Sequence, residues 1–311
     1  MSPTLDSVQR LRDNIASVLF GKQDVVDRVV TCMLARGHLL IEDVPGVGKT
    51  VLATALARSI DAVFSRIQLT PDLLPSDILG VEVLDPRTGA FTFKRGPIFA
   101  NVVLADEINR TPPRTQAALL EAMAEGTVTV DGRVLPLDPP FMVIATQNPF
   151  DFEGTYALPE NQLDRFLMRV RIGYPSPDEE ARVLRDRPAN SPLHTLRPVL
   201  SRADLLALQD AADRVSIAPP LLAFIVAFAN ATRDDDRLLH GLSPRGSLAL
   251  AQAARATALF HGRDHALPED VVDNVEPVCA HRVIPRAGAH ADPDAARQIV
   301  RDILHALPPI V

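Results

Sequence analysis

The sequence predicts an α/β fold: a parallel β-sheet flanked by helices, joined to an all-helical C-terminal domain. Three observations lead there. Short apolar runs alternate with helix-like segments as far as residue 174. A Pro-Gly-Val-Gly-Lys-Thr turn, residues 45–50, stands between one such run and a helix. Beyond Tyr174 the strand signal stops and helical periodicity takes over.

Taken in order, Leu5 to Phe20 and Val25 to Leu34 place apolar residues at helical spacing. His38 to Ile41 is a short apolar run between Gly37 and the Pro-Gly turn, and reads as a buried strand. Helix formers follow from Thr50 to Ser59. Further strands are expected at Val63 to Leu69, Asn101 to Ala105, Phe141 to Thr146 and Phe166 to Ile172. Between them, Thr111 is expected to cap a helix with Pro112 in its first turn and Gly126 at its end. Two hairpins interrupt the alternation. "VEVLDPRTGAFTF" reads as two strands around Pro86 to Gly89, and "TVTVDGRVLPL" places Asp131-Gly132 at a type I′ turn. "PSPDEEARVL" opens the helical part, with Ser176 as cap, Pro177 in the first turn and Glu179 completing a capping box. The expected division is therefore 1–174 and 175–311, with the hairpins as inserts at about 73–97 and 127–138. The run Arg233 to Asp236 reads as a solvated loop.

The chain of 311 residues has room for two domains, and 47% hydrophobic with 23% charged residues is the profile of a soluble globular protein. The longest apolar run, near Pro219 to Ala229, falls short of the ~20 residues that span a bilayer. No secretory signal is read at the N-terminus, and Cys32 and Cys279 form no metal or redox motif, so a cytoplasmic location is expected. A net charge of −7 argues against a nucleic-acid surface as the main purpose.

The turn at 45–50 matches a phosphate-binding loop except at its first position, where Asp43 stands in place of glycine. Such a loop aims consecutive backbone N–H groups at phosphate oxygens at a helix N-terminus. Asp43, Val44, Pro45, Gly46, Val47, Gly48, Lys49, Thr50 and Val51 are the candidate binding stretch. Gly46 and Gly48 let the backbone turn, Lys49 reaches the terminal phosphates, and Thr50 offers a hydroxyl to Mg²⁺. The Asp43 carboxylate has to point away from the phosphates. "NVVLADEINR" supplies the second half of a triphosphate–Mg²⁺ site: a strand ending in Asp106, for the metal, and Glu107, a general base for the attacking water.

With these residues in place the sequence resembles the AAA+ ATPases and, within them, the MoxR branch, over nearly the whole chain. "GKQDVVDRVV" lies where the family's adenine-side element does. "HLLIEDVPGVGKT" and "VVLADEINRTPPRTQAALLEAMAEGTVTVDG" resemble its Walker A and Walker B regions. "MVIATQNP" is similar to sensor 1, which falls on Asn148. "EGTYALPENQLDRFLMRV" is similar to the arginine-finger segment, with the finger at Arg165, and "GLSPRGSLAL" to sensor 2, at Arg245. The resemblance implies an AAA+ core with a helical lid, ATP and Mg²⁺ as cofactors, and ATP hydrolysis. It also implies a ring of copies, usually six, in which Arg165 meets a neighbour's γ-phosphate. The implied role is a chaperone or remodeller that matures partner proteins or inserts their cofactors, with partners carrying von Willebrand factor A-like domains. The hairpins would grip substrate. Arg245 has a physical argument of its own: Ser243 caps its helix and Pro244 opens it, so a cation follows where the helix dipole disfavours one.

Two other readings stay open: a nucleotide-gated, magnesium-chelatase-like assembly subunit, and a nucleic-acid motor. His261 and His265, four apart, share a helix-face spacing with zinc ligands, but Gly262 stands between them where a catalytic glutamate would be. Asn109 and Arg110 are candidates to tune Glu107 or to touch a neighbouring copy.

Overall fold

The computed structural model of the chain describes residues 3–148, 155–156, 158–186, 193, 195–286 and 294–308. Pro149 of the sensor 1 stretch and Glu153, Gly154 and Ala157 of the finger stretch lie outside the described residues.

Helices α1 (Pro3–Ala16) and α2 (Gln23–Leu34) precede β1 (Leu39–Glu42), α3 (Lys49–Ser59) and β2 (Phe64–Gln68). A short α4 (Pro75–Leu79) leads into the hairpin β3 (Gly80–Leu84) and β4 (Phe91–Arg95). Then come β5 (Val102–Asp106), a 3₁₀ turn over Ile108–Arg110, α5 (Pro113–Glu125), the hairpin β6 (Thr127–Val130) and β7 (Arg133–Pro136), and β8 (Met142–Gln147). The core closes with α6 (Glu160–Leu163) and β9 (Met168–Val170). The remainder is α7 (Pro177–Asp186), α8 (Arg202–Asp213), α9 (Pro219–Asp234), β10 (Leu238–His240), α10 (Pro244–Phe260), α11 (Pro268–Cys279), β11 (Ile284–Pro285) and α12 (Ala295–Ala306).

Five strands form one sheet in the order β2-β5-β8-β1-β9, every pairing parallel. β1, β5 and β8 read as unbroken apolar runs because both of their faces are covered. The two-residue period divides them between two cores. Leu39, Ile41, Val102, Leu104, Met142 and Ile144 face the side of α1, α2 and α3. Leu40, Val103, Ala105, Val143 and Ala145 face the side of α5. The first core continues without a break into Leu205, Phe228, Leu250, Val275 and Val300, so the C-terminal helices pack on the sheet's own helical layer. The parallel register aligns the C-terminal ends: Gln68 lies opposite Asp106, and Glu42 opposite Gln147. Open α/β sheets bind ligands at that edge.

Several expectations need correction. Thr111 does not cap α5. The helix begins at Pro113 with Pro112 in extended conformation as its N-cap, and Thr111, with φ −91° and ψ 151°, is extended as well. Each precedes a proline, which disfavours the helical conformation. Gly126 does end α5, at φ +63°. β9 starts at Met168, not Phe166, and α1 ends at Ala16, four residues before Phe20. The C-terminal part carries a two-stranded antiparallel ribbon, β10 with β11, whose strands are too short to show a period. Arg233 and Asp234 close α9 instead of forming a loop. The expected turns are present: Asp131 and Gly132 both have positive φ, and Ser176 and Glu179 exchange capping-box hydrogen bonds. Among the described residues no helix is long and apolar enough to cross a membrane. Cys32 and Cys279 are buried and unbridged, and burial pushes the Cys279 thiol up to about 12.

Candidate active site

The loop after β1 and the first turn of α3 form the floor of the site. Gly46 and Gly48 have φ of +88° and +100°, which L-residues avoid. A Cβ at Gly46 would meet open space, so backbone conformation, not crowding, demands glycine there. Gly48 caps α3 with no side chain, and the first turn of α3 holds no acidic residue. Its leading N–H groups therefore face outward with no intrahelical partner, the arrangement that binds anions.

Lys49, the first residue of α3, is buried and its Nζ donates to the Asp43 carbonyl at 2.8 Å. Burial lowers its pKa, and Asp106, Asp43 and Glu107 oppose that shift. The Asp43 carboxylate turns away from the phosphate cavity, as its charge requires. Oδ1 accepts from Val44 N at 2.8 Å; Oδ2 accepts from Ile172 N at 2.7 Å and Gly173 N at 2.6 Å. Where a standard phosphate loop has glycine, this chain has a clamp onto the segment that leaves the sheet.

Asp106 ends β5 beside the loop. Its Oδ1 accepts from Thr146 Oγ1 at 2.6 Å and its Oδ2 from Arg66 Nη2 at 2.5 Å. Glu107 follows in left-handed conformation, φ +60° and ψ +54°, a costly one for a non-glycine residue. Thr146 Oγ1 holds it there by accepting from Glu107 N at 2.9 Å. The Glu107 carboxylate accepts from Gln68 Nε2 at 3.2 Å and pairs with Arg110 Nε at 3.2 Å. Asn109 is buried, and its carbonyl accepts from Tyr156 N.

Pro45, Gly46, Gly48, Lys49, Thr50, Val51, Arg66, Gln68, Asp106 and Glu107 line one cavity of about 360 Å³. Asp43, Val44 and Val47 belong to the loop but do not line it. Thr50 and Asp106 bring a hydroxyl and a carboxylate, hard oxygen donors of the kind Mg²⁺ takes, into the same cavity. Asn148 follows the last residue of β8, next in the sheet to β5. Arg66, Gln68 and Thr146 carry no sequence signal. They are the polar positions at the C-terminal ends of β2 and β8, and only the strand order brings them to Asp106 and Glu107.

Arg165 and Arg245 lie outside this cavity. Arg165, just past α6, donates to the Leu120 carbonyl on α5. Asp164 does not pair with Arg165; Arg282 Nε donates to its Oδ1 at 2.7 Å, and Arg245 Nε stands 3.8 Å from its Oδ2. Ser243 caps α10 by accepting from Gly246 N, as expected, so Arg245 occupies the helix's first turn with Asp164 as its counter-charge.

Comparison with known proteins gives the same picture. Residues 38–168 match the model of the ATPase family associated with various cellular activities (AAA), and residues 230–303 that of the AAA lid domain. The chain is 48% identical to the YeaC protein of Bacillus subtilis, over 95% of this chain and 92% of that one. It is 38% identical to the chaperone MoxR1 of Mycobacterium tuberculosis, over 100% of this chain and 85% of its relative. A crystal structure of a Cytophaga hutchinsonii protein proposed to be an ATPase superposes with a TM-score of 0.90 at 37% identity, covering 98% and 95% of the two chains. A glycine-hinged loop at a helix N-terminus, a carboxylate pair at a strand end of the same sheet and full-length kinship agree: the chain belongs to the MoxR family of AAA+ ATPases.

Proposed function

We propose that this ATPase works in the cytoplasm as a ring of copies, usually six, that remodels a partner protein. The partner class is proteins with von Willebrand factor A-like domains, and the work is maturation or cofactor insertion. The observation that carries the ring reading is the separation described above. The phosphate, metal and base residues share one cavity, while Arg165, bonded to the Leu120 carbonyl, and Arg245, facing Asp164, lie outside it. Two arginines that complete an ATP site from elsewhere fit a site shared between neighbours. Residues 1–174 would serve as the nucleotide core and 175–311 as the lid.

In this reading the N–H groups of Gly46 to Val51 and the Lys49 ammonium hold the β- and γ-phosphates. Thr50 and Asp106 would hold Mg²⁺, which neutralises phosphate-oxygen charge when bound. Asn148 orients the attacking water. Glu107 takes that water's proton as its oxygen bonds to the γ-phosphorus and the bond to the β-phosphate oxygen breaks, leaving ADP and phosphate. Arg165 and Arg245 of the neighbouring copy stabilise the charge that develops on the γ-phosphoryl oxygens. Before substrate arrives, Gln68 and Arg110 restrain Glu107. The hairpins β3–β4 and β6–β7 are the grip, joined by an Arg133–Glu82 ion pair and exposing Val81, Val83, Phe91 and Val134.

A trap tests this. Glu107→Gln is expected to bind ATP without turnover. Recovered from its native lysate with ATP and Mg²⁺, it should retain a von Willebrand factor A-like protein that Lys49→Ala does not. Nucleic acid in place of such a protein, with DNA-stimulated turnover of the native enzyme, overturns the remodeller for a motor.

A further inference from the structure

Arg282 stands in the turn between α11 and β11, and its side chain is only 3% exposed. Its guanidinium is fully occupied. Nε donates to Asp164 Oδ1 at 2.7 Å, Nη2 to the carbonyls of Phe166 at 2.7 Å and Asp164 at 3.2 Å, and Nη1 to the carbonyls of Leu167 at 3.0 Å and Val278. All but the Val278 carbonyl and the His281 ring, whose Nε2 lies 2.9 Å from Nη1, lie in residues 164–167, the segment that carries Arg165. That segment needs such a partner, because β9 begins only at Met168 and the preceding carbonyls have no sheet ladder to join. His281 adds to the contact, its Nε2 3.0 Å from the Phe166 carbonyl. Burial, then Arg282 and Arg169, hold it neutral, well below the usual histidine range.

A buried arginine is a poor way to gain stability, since removing its charge from water costs most of what its bonds return. What a planar five-donor fork supplies is geometry. Here it fixes the backbone on both sides of Arg165, and it orients the one carboxylate whose other oxygen faces Arg245.

We propose that Arg282 is a positioning residue for hydrolysis: through the 164–167 backbone it holds Arg165, and through the Asp164 carboxylate Arg245, as one rigid unit for presentation to the γ-phosphate of a neighbouring copy. This rests on the shared-site reading given above. Lysine at 282 keeps the charge and loses the fork. Arg282→Lys is expected to lose roughly tenfold or more in kcat while ATP affinity stays within about twofold, because only an interaction made in the transition state is gone. A merely structural role gives no rescue by a second defective chain; a trans-acting one does. The experiment therefore mixes Arg282→Lys with Lys49→Ala in equal amounts and measures turnover against each alone, with Arg165→Ala carried through the same mixing. The phosphate loop of Arg282→Lys and the intact arginines of Lys49→Ala should combine to give turnover well above the sum of the separate variants. Turnover of Arg282→Lys within about twofold of the native enzyme overturns the proposal. So does a lack of rescue where Arg165→Ala is rescued. If Arg165→Ala is inactive and unrescued, the shared-site reading itself falls. Should Arg282→Lys not fold, Asp164→Asn, which keeps the side-chain shape and loses the charge facing Arg282 and Arg245, takes its place in the same mixture.

Discussion

Replacing Asp43 by glycine would restore the standard phosphate-loop pattern, yet the structure makes it a damaging change. The carboxylate is buried and accepts three backbone N–H groups, two of them from Ile172 and Gly173 on the segment leaving the sheet. Glycine leaves those two donors without a partner. Hydrogen bonds to a charged acceptor contribute about 1.5–3 kcal/mol each, so the pair accounts for at least about 3 kcal/mol. The added backbone freedom of glycine brings the loss to about 4 kcal/mol. For a chain of this size that lowers Tm by roughly 6 °C. The side chain does not line the phosphate cavity, so nucleotide affinity should move by less than about threefold, under half of the ~1.4 kcal/mol that a tenfold change represents. Thermal melts and fluorescent-nucleotide titration measure the two effects. An Asp43→Gly variant that melts with the native protein refutes the clamp. One that keeps its Tm but loses ATP affinity more than about tenfold shows that the carboxylate acts at the phosphates after all.

Two further outcomes follow from the same geometry. His38 is buried, with Nε2 2.9 Å from the Met123 carbonyl and Nδ1 accepting from Val143 N, and burial lowers its pKa from 6.5 to about 4. The neutral ring belongs to the fold, so its stabilisation is complete above pH 6.5 and is lost as pH falls towards 4. The difference is about 3 kcal/mol, and denaturant melts comparing native protein with His38→Gln should diverge across that window and not above it. On the β3–β4 hairpin, Phe91 is 66% exposed. Phe91→Asp should leave Tm within about 1 °C and basal turnover intact while weakening client capture by the Glu107→Gln trap, measured in a double variant; a large fall in Tm would mean the ring packs in the fold instead of serving as a grip.

What the sequence determined by itself is what neighbouring residues decide. Gly46 and Gly48 set a turn through their own backbone freedom, Asp131-Gly132 sets another, and Ser176, Pro177 and Glu179 start a helix with bonds that span three residues. Unbroken apolar runs at β1, β5 and β8 announce strands covered on both faces, and from those the loop, Asp106 and Glu107 fall at strand ends. Where local signals compete, small errors follow: two consecutive prolines moved the start of α5 past Thr111, and strands of two and three residues in β10 and β11 left no period to read. Tertiary structure alone decided which distant polar groups meet. Arg66 and Gln68 reach Asp106 and Glu107 because β2 lies next to β5, which is a matter of strand order and not of spacing. The Asp43 clamp spans about 130 residues of sequence and the Arg282–Asp164 contact 118: the first depends on β9 pairing with β1, the second on how the C-terminal helices pack on the core of the sheet. Side-chain chemistry can be read along a chain, but a buried charge finds its partner only after the apolar faces have chosen how to pack, and that choice is made by the whole fold.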